Sequence, residues 1–506
     1  MKTIRILSLL LALMMVLSLF VACDNTPEET SKKPAESTKT TDDDDPRQQI
    51  KDTVPTDLDY NGQTVTFFVR DESDLLKYEL ACEELLNDTL FDAIHYRNID
   101  VETRLGVKIR TIGQSGAWGQ HTAWNETLST AVLTNSGDFH GCAFYLSQGS
   151  ALAKDGIYYN LFSLTEDTGD GYLNFEKPWW NQSITDELAV YGSMFFAGGS
   201  LTITETSGGI CLFFNRDLFN ELFPEERDVA LYQLVRDGKW TADKMAAYVA
   251  EGWTDVNSNG VIDEGDIVGT RSGAIGNFSS GEMDPWIVAM GLNLTERDPY
   301  GEPVIALFNS HTVPAYEKVR SIFGNNPGAL LVDSVPGETS MENGNVLFYN
   351  KTLSFGGGMR ESTVSYGILP LPKYDEEQDD YRTGFGNNAS ALAICSNLSA
   401  NEAAMTSAVL ELLSAESYKQ VIPVYYGKVL QGQYSREQAD AEMYDLILNS
   451  FVFSFGFAYS SQSLSNLGSI FRNLDPVFDI QNHIDSNKVT WNLKLTELLT
   501  ALEEQS

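Results

Sequence analysis

A strand, a helix and a second strand follow one another directly near the start of the folded part of the chain. Residues 63–69 (QTVTFFV) follow a turn at 60–62 and predict a buried strand. Residues 87–107 carry apolar side chains at helical spacing, and Gly106 ends that helix. Residues 107–112 then predict a second strand. Because such a unit lays its two strands side by side in parallel, it predicts an α/β fold with a parallel sheet.

The charge balance excludes a nucleic-acid-binding role. The chain has 506 residues, with 34 Lys and Arg against 71 Asp and Glu, and a formal net charge of −37. It contains no basic run long enough to follow a phosphate backbone, and anionic membranes would repel it. A neutral ligand would not feel this field. The length is sufficient for two or three domains with hydrophobic cores.

The first 23 residues have the composition of an export signal. Lys2 and Arg5 precede an apolar stretch at 6–22, and Cys23 follows a small residue. The stretch resembles a bacterial lipoprotein signal, in which Cys23 is lipidated and becomes the mature N-terminus, although Phe20 replaces the usual leucine. A plain secretory signal and an uncleaved anchor helix are the alternatives. Because no later stretch reaches the ~18 consecutive apolar residues that cross a bilayer, we expect membrane attachment through the N-terminal lipid only.

The segment that follows is too polar to fold. Residues 24–57 are rich in Thr, Ser, Lys, Pro and Asp, and they predict a disordered tether. Four further cysteines are scattered along the chain without a C-x-x-C pair, which favours neither a zinc site nor a redox motif. Disulfides and buried free thiols both remain open for Cys82, Cys142, Cys211 and Cys395.

A loop at 255–266 (DVNSNGVIDEGD) has the spacing of a calcium-binding turn. Gly260 stands where the chain must turn sharply, and the predicted ligands are Asp255, Asn257, Asn259, Val261, Asp263 and Asp266. Asn259 in place of Asp, and Asp266 in place of a bidentate Glu, predict a weakened site. A helix at 241–249 and a strand at 267–270 flank the loop, so we expect a structural clip rather than an EF-hand sensor. A surface turn that binds nothing is the alternative.

Segments spread over residues 60–480 resemble, in order and spacing, the carbohydrate-type, family 1-like extracellular solute-binding lipoproteins of ABC importers. The calcium-type clip is one of them. The others are AIHYRN at 93–98, GDF at 137–139 with GIYYNL at 156–161, KPWWN at 177–181, a small-residue crossing that ends in FFNRDL at 213–218, and YGILPLPKY at 366–374.

This resemblance implies a two-lobed, type II periplasmic-binding-protein-like α/β fold, in which hinge crossings join the lobes around a ligand cleft. The first lobe would comprise residues 58–200 plus about 390–420, and the second 201–389 plus about 421–506. It further implies a monomer anchored by lipid at the extracellular face of the cell membrane, with Ca²⁺ as a structural cofactor. Such a protein delivers a solute, here an oligosaccharide, to the permease subunits of an ABC transporter.

Sugar recognition requires aromatic faces for stacking and planar polar groups for hydroxyls. Asp71 directly follows the first strand, where an α/β sheet presents ligand groups, and Glu205 lies within the crossing. Trp179 and Trp180 are adjacent and cannot share one face, so we expect one to pack and the other to stack on ligand. For each candidate, core packing or a surface position is the alternative. The predicted ligand-binding residues are Asp71, Tyr145, Gln148, Trp179, Trp180, Glu205, Trp286, Phe355, Arg360 and Tyr459.

No catalytic residue is predicted. The sequence lacks a G-x-S-x-G elbow and an H-E-x-x-H motif, and it has only 5 histidines. A glycoside hydrolase needs only two carboxylates, so composition alone does not exclude that class. The resemblance favours a binding protein. The alternatives are a receptor of the same fold for peptide or another solute, and a surface glycoside hydrolase or polysaccharide-binding protein.

Overall fold

The computed structural model describes residues 45–273, 278–332, 341–359, 362–386, 389–427 and 438–506. The predicted signal, Cys23, most of the tether and Arg360 therefore lie outside the described residues. The strands are β1 (Gln63–Arg70), β2 (Val107–Gln114), β3 (Gly141–Tyr145), β4 (Ile210–Asn215), β5 (Val268–Ser272), β6 (Thr295–Arg297), β7 (Pro303–Ile305), β8 (Ala329–Leu331), β9 (Val346–Thr352), β10 (Tyr366–Leu369) and β11 (Ser390–Ile394).

Helices cover the faces of the sheets. They are α1 (Asp74–Tyr78), α2 (Thr89–Leu105), α3 (His121–Leu133), α4 (Leu146–Gly149), α5 (Gln182–Leu188), α6 (Ile203–Ser207), α7 (Arg216–Leu222), α8 (Arg227–Arg236), α9 (Ala242–Glu251), α10 (Ser280–Ala289), α11 (Thr312–Ile322), α12 (Phe355–Gly358), α13 (Ala400–Glu416), α14 (Ile422–Val424), α15 (Gln438–Asn449), α16 (Phe455–Tyr459) and α17 (Ile480–Glu503). A 3-10 turn at Leu467–Phe471 precedes α17.

The first sheet has the order β11-β3-β1-β2. β1 pairs in parallel with both β2 and β3, as the strand–helix–strand pattern predicts, and β11 is antiparallel to β3. The carboxyl ends of β1 and β3 and the start of β11 therefore share one edge. In a parallel sheet this is the edge at which ligands are bound.

Helix α2 shows why the opening pattern folds as predicted. The Asp88 side chain accepts hydrogen bonds from the first free backbone N–H groups, and Gly106 ends the helix at φ 60°, in the left-handed region. Leu90, Ile94 and Val101 are buried against the sheet. Ile99, which the sequence pattern includes in the apolar set, is instead half-exposed, because it lies off the buried stripe.

The second sheet has the order β10-β4-β9-β5-β8. β5 is parallel to β8 and β9, whereas β4 runs antiparallel to β9 and β10. The predicted strands at 267–270 and 366–374 are present as β5 and β10, the latter ending at Leu369. The ends of β5 and β9 and the start of β4 share one edge, and segments outside the described residues follow β5 and β8 there.

Short backbone bridges mark the crossings between the two sheets. Ala197 pairs with Leu392, and Gly209 pairs with Phe385. The predicted small-residue crossing lies between Ala197 and Gly209, and it contains the short helix α6. The segment after α15 joins the same region, since Thr383 pairs with Phe451.

The ordered chain begins earlier than the sequence indicates, before residue 57. Asp52 accepts two hydrogen bonds of 2.7 Å from the Arg104 guanidinium, and Val54 is 3% exposed within the core. The polar composition does not predict this contact, because only one salt bridge and one apolar side chain fix the segment. Among the helices of the described ranges, none is both long and apolar enough to span a bilayer.

Candidate functional site

A buried cation marks the carboxyl end of β1. Arg70 is 1% exposed and donates hydrogen bonds to the Glu72 carboxylate at 3.2 Å and to the Ser390 hydroxyl at 3.1 Å. Its guanidinium carbon lies 5.1 Å from the ring centroid of Tyr145, at the end of β3. Burial lowers the pKa of Arg70, while the nearby carboxylates of Glu72 and Glu79 oppose that shift. The group is a charged hydrogen-bond donor fixed by packing.

A second ion pair is formed by elements that pack on the second sheet. Arg472, after the 3-10 turn, donates from Nε to Asp284 in α10 at 2.7 Å. Burial raises the pKa of Asp284 to about 6, although the Arg472 hydrogen bond and charge act in the opposite direction. Helix α10 packs on the second sheet through β9 and on the 3-10 turn. This pair therefore belongs to the second sheet.

Tyr145 is near enough to both ion pairs for their charges to act on it. Burial raises the pKa of Tyr145, and the charges of Arg70 and Glu72 on one side and of Arg472 and Asp284 on the other also act on it. An aromatic ring is thereby placed among fixed charged groups from both sheets. Such a combination can stack on an apolar face and hydrogen-bond the polar edge of the same ligand.

Glu79 connects the two crossings beneath this point. Its buried carboxylate accepts hydrogen bonds from the Thr204 backbone N–H at 3.2 Å and hydroxyl at 2.9 Å, and also from the Ser390 hydroxyl. The Ser390 N–H in turn donates to the Thr204 hydroxyl at 3.0 Å. Burial raises the pKa of Glu79. The carboxylate fixes α6 and the start of β11 relative to each other.

Comparisons with known proteins agree with this architecture. No family model and no curated protein matches the sequence. Among solved structures, the galacto-N-biose/lacto-N-biose I-binding protein of a Bifidobacterium longum ABC transporter aligns over 86% of this chain and 98% of its own, at 11% identity and a TM-score of 0.54. A cyclo/maltodextrin-binding protein complexed with maltotetraose aligns over 88% of this chain and 97% of its own, at 10% identity and a TM-score of 0.50.

The chain has the two-lobed fold of solute-binding proteins. In this fold the first sheet is the core of one lobe and the second sheet is the core of the other. Tyr145 and the Arg70–Glu72 pair adjoin the first sheet, and the Arg472–Asp284 pair adjoins the second. The α/β, two-lobed prediction from sequence is confirmed.

The two adjacent tryptophans share one hydrogen-bond acceptor. Both are buried, and both donate their indole N–H groups to Glu411 of α13, from Trp179 at 2.9 Å and from Trp180 at 2.9 Å. Neither ring is exposed, although both line a cavity of about 270 Å³ together with Glu205. A stacking role for one of them stays a prediction. Two neighbouring rings can both be buried here because the chain turns at this point, so they need not alternate as in a strand.

Three more predicted residues are packed inside the protein. Trp286 is fully buried, with its ring edge-on to Phe323 at 5.3 Å, and Tyr459 packs on Phe455 at 4.7 Å. Gln148 is also fully buried, and its amide bonds to Ser461 at 2.9 Å and to Gln462. The Gln148 contacts hold the segment after α16 against the first lobe, and none of the three side chains presents a free face.

The remaining predicted residues differ in their exposure. Asp71 is exposed at the end of β1, and Phe355 is half-buried just after β9 on the opposite lobe. Glu205 is buried in α6, where it accepts hydrogen bonds from Asn181 at 2.5 Å and Thr202 at 3.3 Å. Burial raises the pKa of Glu205 to about 7. Phe355 is thus the least buried of the predicted aromatic residues.

Sequence reasoning missed Trp118. This side chain is 71% exposed in the loop after β2, and the Gly116 N–H in the same loop donates to Glu72 at 3.1 Å. The loop is therefore tied to the Arg70–Glu72 pair at the cleft edge. The rule that selected Asp71, a residue just after a parallel strand, would have found Trp118 had it been applied to β2 as well.

The loop at 255–266 forms the sharp turn that its sequence predicts. Gly260 has φ 77°, and the Asp255 carboxylate accepts the N–H groups of Asn259 at 3.1 Å and Gly260 at 2.8 Å. The Asn257 and Asn259 amides donate to Asp263 at 2.9 and 2.6 Å. Carboxylate and amide oxygens are the ligands that Ca²⁺ prefers. The loop brings together the predicted side chains of Asp255, Asn257, Asn259 and Asp263.

Two of the predicted ligands stand differently. Asp266 is buried, and its carboxylate accepts hydrogen bonds from the Val256 N–H at 3.0 Å and the Trp253 indole at 3.2 Å. Val261, whose carbonyl was the predicted donor, is exposed. In the described part of the chain, no three Asp, Glu, His or Cys side chains group closely enough to hold a metal. The NH₂ groups of Asn257 and Asn259 face Asp263, so Ca²⁺ would require both side chains to turn their amide oxygens toward the ion. Cation binding stays a prediction.

Proposed function

We propose that this chain is the substrate-binding protein of an ABC importer and that its cargo is an oligosaccharide. The observation that carries the proposal is that the charges of the Arg70–Glu72 pair of one lobe and of the Arg472–Asp284 pair of the other both act on Tyr145. A ligand that contacts this point interacts with both lobes at once. Closure then follows as a population shift, because only the closed form makes both sets of contacts.

The chemistry of the cleft edges suits a sugar. Trp118 and Phe355 offer ring faces for the apolar side of a pyranose, while Asp71 is exposed to accept hydrogen bonds from hydroxyls. The two solved proteins with the same fold were determined in complex with lacto-N-biose and with maltotetraose. These features favour an oligosaccharide over a peptide.

We further propose that the mature protein is held at the outer face of the cell membrane by a lipid on Cys23 and presents its closed form to permease subunits. The sequence pattern at 1–23 supports the anchor. Metabolic labelling with a radioactive fatty acid tests it, with the Cys23→Ser variant as control. Label retained by the variant would refute anchoring through this residue.

A thermal-shift screen tests the binding function. The mature domain is melted with α-gluco-, β-gluco-, galacto- and xylo-oligosaccharides, and with tripeptides as a separate arm. A ligand at a hundredfold excess over its Kd stabilises the folded state by about 2.7 kcal/mol. We expect one sugar class to raise the melting temperature, with no hydrolysis product by chromatography. Product formation would indicate a glycoside hydrolase, and a shift with peptides alone would indicate another cargo.

Two variants locate the site. Asp71→Ala removes an exposed carboxylate at the cleft edge and is expected to weaken binding without changing the melting temperature of the free protein. Tyr300→Ala removes an aromatic ring that is 90% exposed in the β6–β7 turn, outside the proposed cleft, and serves as the matched control. Equal weakening by both variants would contradict the placement of the site.

A further inference from the structure

A groove runs along the outer face of α3, next to the cleft edge of the first lobe. It has a volume of about 290 Å³, close to the lower end of the range for small-molecule sites, ~300–1,000 Å³. One wall is α3, which contributes side chains from His121 to Leu133. Leu152 and Gln462 form the other wall. Because α3 rises 1.5 Å per residue, this stripe is roughly 18 Å long.

The side chains of the groove suit a neutral, hydroxyl-rich ligand. Asn125, Ser129, Thr130 and Gln462 supply amides and hydroxyls, and Glu126 is the one charged side chain among the described lining residues. Those on α3 recur on one face of the helix, since positions three and four residues apart are neighbours on a helix. Without a cationic side chain among them, they do not favour an anion.

The groove connects with the cleft through side-chain contacts. The Asn125 amide donates to the Gln148 carbonyl at 2.9 Å, and the Gln462 amide bonds to the Gln148 side chain. Gln148 follows β3 directly after Tyr145, Leu146 and Ser147. The floor of the groove is therefore continuous with the segment that carries the central tyrosine of the cleft.

An exposed aromatic ring lies at the junction. The Trp118 ring centroid is 5.2 Å from that of His121, which lines the end of the groove, and its loop is tied to Glu72 at the cleft edge. Exposing 71% of a tryptophan leaves a large apolar surface in water. The Nδ1 atom of His121 is buried and has no hydrogen-bond partner within the described residues. The Trp118 ring is open to a ligand that passes between cleft and groove.

We propose that the groove along α3 binds the distal sugar units of a long oligosaccharide whose other end lies in the cleft, with Trp118 stacking on the unit at the junction. This inference rests on the proposed function and adds the size class of the cargo. The protein would then discriminate by chain length. Short ligands would contact the cleft alone, and longer ones would gain contacts along α3.

Isothermal titration calorimetry with a length ladder tests the proposal. The ladder runs from disaccharide to hexasaccharide of the sugar class that stabilises the protein in the thermal-shift screen. We expect the Kd to fall with length beyond the units that the cleft holds. Trp118→Ala should weaken the longest ligand by roughly two- to tenfold, which is the range of one aromatic stacking contact, and leave the shortest ligand unchanged. Trp118→Phe should restore most of the difference.

Two further variants keep the test independent of one residue. Ser129→Tyr fills the middle of the groove and should abolish the length dependence while sparing short ligands. Tyr300→Ala, which removes a still more exposed aromatic side chain elsewhere, should change neither the length dependence nor the binding of short ligands. Equal Kd values along the ladder, or equal losses for short and long ligands in Trp118→Ala, would overturn the groove while the proposed function stands. Failure of every member to bind would overturn both. If Ser129→Tyr left sugar binding unchanged but abolished transport in cells, the groove would be a contact surface for the permease and the proposal would be overturned.

Discussion

Trp180 donates its indole N–H to the Oε2 atom of Glu411, 2.9 Å away. The same carboxylate also accepts the Trp179 indole at 2.9 Å and the Asn174 backbone N–H at 3.1 Å. One buried acid thus satisfies three donors that would otherwise lose their water without replacement. It fixes the KPWWN segment to α13, which explains why two adjacent tryptophans can both be internal.

Replacing this acid by its amide should destabilise the protein. In Glu411→Gln, the amide NH₂ would face an indole N–H, so at least one buried donor loses its acceptor. We expect a loss of about 1–3 kcal/mol of unfolding free energy, measured by denaturant titration. Glu402→Gln on the same helix is the control, because Glu402 is exposed at the N-terminus of α13 and its capping role tolerates an amide. Equal stability of Glu411→Gln and wild type would contradict the network.

Stability should fall as the pH rises from about 4.5 to about 7. Burial raises the pKa of both Glu205 and Glu411 from 4.5 to about 7. Between these values the folded state holds protons that the unfolded state has released, so unfolding becomes easier with increasing pH. Each group contributes about 3 kcal/mol over the window. Calorimetric melting at a series of pH values measures the slope, and Glu205→Gln should reduce it. A melting temperature that rises across this window would contradict the prediction.

The calcium-type turn gives a prediction that separates stability from ligand binding. Asp255→Ala removes the carboxylate that organises the loop and that would bind the cation. We expect a lower melting temperature in Ca²⁺ than wild type, with unchanged ligand affinity, because the loop lies between α9 and β5 rather than at the cleft edge. Val256→Ala, at a half-exposed position of the same loop, is the control. Identical melting of Asp255→Ala and wild type with and without Ca²⁺ would refute the metal site.

The four described cysteines should be unreactive in the folded protein. Cys82, Cys142, Cys211 and Cys395 are free and buried, which answers the question that the sequence leaves open. Burial raises the pKa of each thiol, for Cys395 to about 12, so little thiolate is present at neutral pH. A chromogenic disulfide reagent should label none of them quickly and all of them in denaturant without reductant. Fewer thiols in denaturant would reveal a disulfide.

The sequence predicts those parts of the fold that depend on neighbouring residues. The strand–helix–strand unit at 63–114, helix α9 and the turn at Gly260 all follow from local patterns. The start of α17 at Ile480 is not evident from apolar spacing, because its first turns are polar. Asp479 nevertheless caps that end through the Asn482 N–H.

The site could be predicted only in part, because its contacts join distant residues. Arg70 and Ser390 meet across 320 positions, and Arg472 meets Asp284 across 188. Nothing in the local sequence of either partner specifies the other. Likewise, burial separates Trp118 from Trp286, although both are tryptophans close to strand or helix ends. Position after a parallel strand was the reliable indicator, and residue type alone was not.

The place of β11 in the first sheet has a consequence for how this chain is made. β3 is apolar and fully buried, yet its outer edge is covered only by β11, which begins at Ser390. During synthesis the ribosome must produce the whole second sheet before the first can be completed. Until then β3 is an unprotected strand edge, the kind of surface on which chains aggregate. A nascent chain of this design therefore leaves that edge unpaired until most of its length has been made.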